Sequence, residues 1–210
     1  MGKSRQGVHG NYNGRVGNVV ARKSQGRVIL SIYQPDVANP RTTKQTAQRV
    51  AFAFRSSALK MFAYFIKPLA RGWYEFGTGW SNFIKKNYTD AFHLSGGSWE
   101  CLFDKIVLSV GRPQVGFNAT ASFDNGQMTV GWTDNSGGDI DTNDTACIVL
   151  ANPSKDQALF FETTAKRGDR QASGGVPTSW TGDNVEVYWF MKSADGTEYG
   201  DSEYLGSISV

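Results

Sequence analysis

Histidine and cysteine are nearly missing from this chain of 210 residues: each occurs twice. His9 and His93 offer little for metal ligation or acid–base chemistry, and neither has an acidic neighbour at a catalytic spacing. Cys101 and Cys147 stand 46 positions apart, outside any Cys-x-x-Cys pattern. They make neither a disulfide framework nor a zinc site and read as reduced thiols. Long apolar runs are missing too; nothing approaches the roughly 20 residues of a membrane span, so no membrane partner is expected. His9, Asn11, Asn13, Arg15 and Asn18 break up the stretch after the positive start, which excludes the apolar core of a secretory signal. The chain is therefore expected in the cytoplasm or in a virion or other particle. Nucleophile elbows and the full phosphate-loop pattern do not occur. Together these absences point to a non-enzymatic protein with no cofactor.

Charge of one sign is scarce only within each half. The net charge of +3 conceals 16 basic and 5 acidic residues in 1–110, a net of +11, against 6 basic and 14 acidic in 111–210, a net of −8. Such a split fits a nucleic-acid surface, or a chain whose one half docks on the opposite half of a neighbour. It also fits two solvated faces of unrelated composition. With 40% hydrophobic and 13% aromatic residues, the chain has enough apolar material for a real core.

Residues 1–34 read as a glycine-rich basic β arm, with Gly2, Gly7, Gly10, Gly14, Gly17 and Gly26 set among polar and basic side chains. Val19-Val20-Ala21 and Arg27–Tyr33 are rich in β-branched residues and flank Lys23-Ser24-Gln25-Gly26, a hairpin signal. A hairpin alone is marginal in water, so this one must pack on something. Residues 35–97 read as helical. Thr42 and Gln45 have the spacing of a capping box, with Thr43 the competing cap. Ala47, Val50, Ala51, Phe54, Ala58, Met61, Phe62, Phe65 and Leu69 then recur at helical spacing, with Pro68 expected to kink or end the helix near Lys67. A second helix is expected around Trp73–Phe76 or from Ser81 to Asn87.

After Gly96-Gly97 the period changes, and 98–210 reads as an Ig-like or fibronectin-like β-sandwich. The expected strands are Phe103–Val110, Phe117–Phe123, Gln127–Thr133, Ala146–Ala151, Leu159–Thr163, Val185–Met191 and Tyr204–Val210. Asp124-Asn125-Gly126 and Ala194-Asp195-Gly196 are the clearest turns. The cysteines do not fit the inter-sheet disulfide of antibody domains. The predicted fold class is thus α+β: a β-hairpin arm and helices followed by a sandwich.

Four segments carry a resemblance: Gly14–Val20, Ala38-Asn39-Pro40-Arg41-Thr42 with Gln45, Gln48-Arg49 and Phe52, Val130–Gly137, and Tyr204–Val210. In these the chain resembles an uncharacterised domain-of-unknown-function family of Bacteroidota and their phages. The resemblance spans nearly the whole chain, and Asn-Pro-Arg-Thr…Gln-Arg is its most distinctive part. It implies a helical N-terminal region and an Ig-like C-terminal domain, a lean toward a structural role, and no activity.

The leading expectation is self-assembly into homo-oligomers or filaments, with Val19, Val20, Val28, Ile29, Leu30, Ile32 and Tyr33 as the assembly arm. Copies of the chain itself are the expected partners. The alternative is a nucleic-acid-binding accessory protein whose basic surface comprises Lys3, Arg5, Arg15, Arg22, Lys23, Arg27, Arg41 and Arg49. A third reading, a carbohydrate-binding module, would use Trp180 and Trp189. Asp139, Asp141 and Asn143 follow the 1-3-5 spacing of a calcium loop, but position 6 is Asp144 and position 12 is Leu150. An Asx-rich strand connection is the favoured reading there, with calcium the weaker one.

Overall fold

Two strands decide the architecture because neither has a polar side to turn toward water. Thr145–Asn152 (β8) is buried at every position but its first, and Asn184–Lys192 (β11) is buried through its centre. They pair antiparallel in the middle of a four-stranded sheet, β12-β11-β8-β9, with β9 at Gln157–Lys166 and β12 at Glu203–Ser209. Alternate side chains leave by opposite faces. Ala146, Ile148, Leu150, Val185, Val187, Trp189 and Met191 join one core cluster, while Cys147, Val149, Ala151, Tyr188 and Phe190 join another. A continuous apolar run is what a sheet covered on both faces requires.

The computed structural model describes residues 13–24, 27–36, 39, 41–74, 77–138 and 140–210. Among them are three α-helices and twelve strands in four antiparallel sheets, a mixed α+β fold. Residues 1–47 and 48–210 form separate compact units. The first contains a three-stranded sheet of Gly14–Val16 (β1), Val19–Ser24 (β2) and Arg27–Ile32 (β3). Helix α1, Thr43–Ala58, begins in that unit and ends in the second.

In the second unit one face of the four-stranded sheet meets a three-stranded sheet, β10-β7-β6, made of Phe117–Asp124 (β6), Gln127–Thr133 (β7) and Gln171–Gly175 (β10). Strand β7 alternates as a half-buried strand should, sending Met128, Val130 and Trp132 inward. Trp132 stacks on Trp189 with ring centroids 5.1 Å apart. The β6–β7 hairpin closes through Asn125 and Gly126, both at positive φ (48° and 76°), as the sequence predicts.

Helices cover the opposite face. The expected helix over 42–69 is two helices: α1 gives way at Lys60–Phe62 to a 3₁₀ turn, and Ala63–Leu69 (α2) resumes. That break turns Leu59, Phe62, Phe65 and Ile66 onto the sheet, where all are buried. Phe62 meets Tyr188 edge to face, and Phe65 stacks on Phe160 at 5.1 Å. Pro68 sits in the final turn of α2, which ends one residue later at Leu69, close to the expected stop near Lys67. Of the two positions expected for the next helix, Gly79–Asn87 (α3) forms. Thr78 and Ser81 close its capping box, Ser81 N–H donating to Thr78 Oγ1 and Thr78 N–H to Ser81 Oγ. Gly79 is required by packing: a Cβ there would lie 1.8 Å from the Lys67 carbonyl oxygen.

Three expectations need correction. Phe103–Val110 is not a strand; after a 3₁₀ turn at Phe103–Lys105 it runs through Ile106 and Leu108, both buried, without a ladder. Side chains take the ladder's place. Asn87 accepts from Val107 N–H at 2.7 Å and donates to its carbonyl at 3.0 Å, and Ser202 Oγ accepts from Leu108 N–H at 2.9 Å. The stretch around Gly96-Gly97 is a hairpin of Phe92–Ser95 (β4) and Ser98–Cys101 (β5), with both glycines at positive φ in the turn. Finally, β10 fills an edge that the sequence leaves as loop.

The helices and the four-stranded sheet share one core, so the unit of 48–210 should unfold as a whole. Phe62→Ala should cost about 3–5 kcal/mol. It should shift far-ultraviolet circular dichroism and tryptophan fluorescence to the same lower denaturant midpoint. Separate midpoints for the two signals would contradict the shared core.

Candidate assembly surfaces

Strand register sorts the side chains of the β1–β3 sheet into two unlike faces. Opposed residues share a face, and the pairs run Val16 with Val19, Val19 with Ile32, Ala21 with Leu30 and Lys23 with Val28. That face is apolar apart from Lys23. The other carries Arg15 with Val20, Val20 with Ser31, and Arg22 with Ile29. Gly17, at φ 58°, makes the tight turn between β1 and β2. Tyr33 N–H donates to Asn18 O at 2.7 Å, and the Arg15 guanidinium lies 3.5 Å from the centre of the Tyr33 ring.

Of the expected arm residues, Val19, Val28, Ile29, Leu30 and Ile32 are exposed, Ile32 at 78% and Leu30 at 50%. Val16, which the sequence does not single out, is 58% exposed on the same apolar face. Val20 and Tyr33 are half-buried, and Val20 belongs with Ile29 to the basic face. Arg22, Lys23, Arg41 and Arg49 are exposed, the last on α1. Lys3 and Arg5 lie outside the described residues, as does the Arg27 side chain.

A second surface lies on the helical layer. Between α1, α2 and α3 there is a groove of about 650 Å³ floored by Phe52, Ala53, Ala63 and Trp80 and edged by Ser56, Ser57, Lys60 and Lys67. Phe52 is 52% exposed; Trp80 is half-buried against Phe83. Deeper in the layer Arg55 is buried, its guanidinium 4.1 Å from the centre of Tyr88 and 4.3 Å from that of Trp99. Its Nε has no hydrogen-bond partner among the described residues, so ring faces are what hold this charge.

The third surface is built on a buried ion pair. Arg167, fully buried, donates from Nη2 to Asp144 Oδ2 at 2.8 Å and to Gln114 O at 2.6 Å. Its Nη1 reaches Asn135 Oδ1 at 2.6 Å and its Nε reaches Asp141 O at 3.0 Å. Ala194 N–H donates to the other Asp144 oxygen at 3.1 Å. Four loops are thereby pinned together at one end of the sheets, and beside them opens a cleft of about 730 Å³ lined by Arg112, Asp141, Asp144, Asp195 and Glu198, among others. Asp195 is held at about 2 by the Ser193 hydroxyl and by the Thr197 N–H and hydroxyl, which bond its charged form. The Asn143 backbone and side-chain amides lower Asp141 in the same way.

That geometry also places the candidate calcium residues. Asp139 lies outside the described residues. Asp141 Oδ1 accepts both amides of Asn143, while Asn143 Oδ1 accepts from Lys166 Nζ at 3.0 Å. Among the described residues no group of three or more His, Cys, Asp or Glu could hold a metal ion. The tryptophans of the carbohydrate reading are buried in the core, Trp180 donating to Gln157 Oε1 and Trp189 to Glu203 Oε2. Burial pushes both thiols up to about 12, which keeps them protonated and poorly nucleophilic at neutral pH. Among the described residues no helix is long and apolar enough to cross a membrane.

Arg167→Ala leaves Asp144 buried without its counter-charge and should destabilise the protein by about 3–5 kcal/mol. Adding Asp144→Asn should recover part of that loss. A double variant whose denaturation midpoint falls by the sum of the two single losses would show that the pair does not act as a unit.

No curated protein and no solved structure matches the chain. A family model does match, over residues 10–206, and so includes the described arm, the helical groove and the pinned loops. The chain belongs to this family of unknown function, DUF6266.

Proposed function

We propose that this protein is a non-enzymatic structural component that assembles with copies of itself, the β1–β3 sheet of one copy covering or extending a sheet of another. One observation carries the reading: Val16, Val19, Val28, Leu30 and Ile32 share one sheet face and are all exposed. A three-stranded sheet gains stability by burying its apolar face. Isolated apolar residues on a surface need no explanation, but a contiguous set on one sheet face does. The edges of β1 and β3, to which no described strand pairs, add a second means of association, since an open strand edge accepts a strand from a neighbour. A virion or other particle is the setting this reading gives it, in line with the phage resemblance.

The module behind the arm reads best as a fibronectin-like variant of the Ig-like sandwich. Lettered A to G from β6 to β12, the strands lie as E-B-A and G-F-C-D. In constant-type immunoglobulin order the fourth strand lies beside the fifth. Here it lies beside the third, in the other sheet. A rigid module of this kind would be displayed or packed by the assembly without chemistry of its own.

Covering five roughly half-exposed side chains is worth on the order of 1 kcal/mol each, about 5 kcal/mol in all. Association costs an estimated 4–15 kcal/mol in lost freedom. The arm face therefore drives assembly only with help from another contact. Leu30→Asp with Ile32→Asp should convert assembled protein to monomer in sedimentation and light scattering, and deletion of residues 1–34 should do the same. A double variant that keeps the wild-type mass would defeat the reading.

The second reading, nucleic-acid binding, rests on Arg15 and Arg22 sharing the opposite face of the same sheet. Gel shifts with DNA and RNA separate the two. Phosphate binding by this face would weaken steeply between about 50 and 200 mM salt and would be lost in an Arg15→Ala, Arg22→Ala variant. No shift at low salt removes this alternative.

A further inference from the structure

We propose that the groove on the helical layer receives the acidic loop between β11 and β12 of a second copy, a head-to-tail contact in which Lys60 and Lys67 face Asp195 and Glu198. This rests on the self-assembly reading and supplies the additional contact that the arm requires. The groove has an apolar floor of Phe52 and Trp80, no acidic residue in its lining, and two ammonium groups at its edge. Neither lysine makes an ion pair with a described residue. Lys60 also borders a smaller cavity that includes Asp156, which leaves Lys67 as the more dedicated of the two. Apolar centres with polar or charged rims are how association surfaces are commonly built.

Charge complementarity selects the occupant. The arm cannot be it, because Arg15, Arg22 and Lys23 would add like charge to a basic groove. The β11–β12 loop has the opposite character: Ala194, Asp195, Gly196, Thr197 and Glu198 are all exposed. The loop is also ordered in advance. Asp144 in the buried pair accepts Ala194 N–H, and Asp195 bonds the Ser193 and Thr197 side chains. Little conformational freedom is then lost on docking. Among the described residues the Glu198 carboxylate pairs only with Arg112, at 4.0 Å and with the Arg112 side chain 90% exposed, and such a surface pair is readily exchanged.

Seven residues of helix and 3₁₀ turn put the backbones of Lys60 and Lys67 about 10 Å apart along the layer. Ser193 N–H donates to Glu198 O and Ser193 O accepts from Gly196 N–H, so Asp195 and Glu198 share one tight turn and stand closer together than that. The flexible four-carbon stems of the two lysines let both ammonium groups converge on the turn.

A charge exchange tests this. Lys60→Glu with Lys67→Glu, and Asp195→Lys with Glu198→Lys, should each weaken self-association about tenfold or more in sedimentation. An equimolar mixture of the two variants should restore it, because the reversed loop of one fits the reversed groove of the other. Wild-type assembly should also weaken with salt. Should the Asp195 change unfold the loop, Glu198→Lys alone mixed with Lys67→Glu provides the same readout, with circular dichroism confirming the fold. Variants that assemble like wild type, or a mixture that fails to recover, overturn the groove contact. If those variants assemble normally while Leu30→Asp, Ile32→Asp does not, the arm reading survives without it; a monomeric wild type removes both.

Discussion

The pairing of β8 with β11 makes demands on everything around it. Both strands lose contact with water on both faces, so their side chains must be apolar on both, and each face must be covered by a separate layer. The three-stranded sheet supplies one cover and the helices the other. The backbone in such a middle layer is satisfied only by its own ladder, and the seven-residue register between β11 and β8 runs without a break. The irregularities fall on the flanking pairs, where the register shifts between Val187 and Tyr188 of β11 against β12 and between Thr145 and Cys147 of β8 against β9. At the β8–β9 shift a side chain compensates, Thr163 Oγ1 donating to Ala146 O at 2.7 Å.

Within the second unit, a layer that excludes charge pushes it outward. Basic residues such as Lys60, Lys67, Lys85 and Lys86 sit on the outer helices, and acidic ones crowd the turns that end the sheets. Two arginines depart from this rule in different ways. Arg167 is buried, but its guanidinium makes four hydrogen bonds, one of them to a buried carboxylate, so desolvation is offset and four loops are fixed. Among the described residues Arg55 meets aromatic faces and no anion, and its Nε finds no acceptor. The first arrangement is a clamp for loops; the second ties α1 to α3's end and to the β4–β5 hairpin through Tyr88 and Trp99.

What could be read in the sequence follows from the range of the forces involved. Asn125-Gly126 is legible because turn chemistry is local. Helix spacing is local too, but it leaves Trp73–Phe76 and Ser81–Asn87 both open, and the helix that forms is Gly79–Asn87. β8 stands out as an apolar run, yet a run without period cannot say that two layers cover it. Phe103–Val110 looks like a strand for the same reason, and only the fold brings Asn87 and Ser202 to replace its neighbour. Gln171–Gly175 is too small and polar to register as β structure, and pairs because β7 has a free edge. The arm residues were visible through their β-branched composition. The division into an apolar and a basic face was not, because it depends on register. The groove was hidden altogether: Phe52, Lys60, Lys67 and Trp80 come from three helices and a 3₁₀ turn that only the core aligns.

The two proposed contacts differ in symmetry, and that difference determines what they would build together. An apolar sheet face that meets the same face on another copy closes on itself as a dimer. A groove that takes a loop from elsewhere on the molecule is heterologous and repeats from copy to copy, giving a ring if the rotation closes and a filament if it does not. One contact of each kind links dimers through an open series. Each contact alone is weak by the magnitudes above, but tethering through one raises the effective concentration at the other. Assembly would then be steep in protein concentration and sensitive to salt through the charged contact alone.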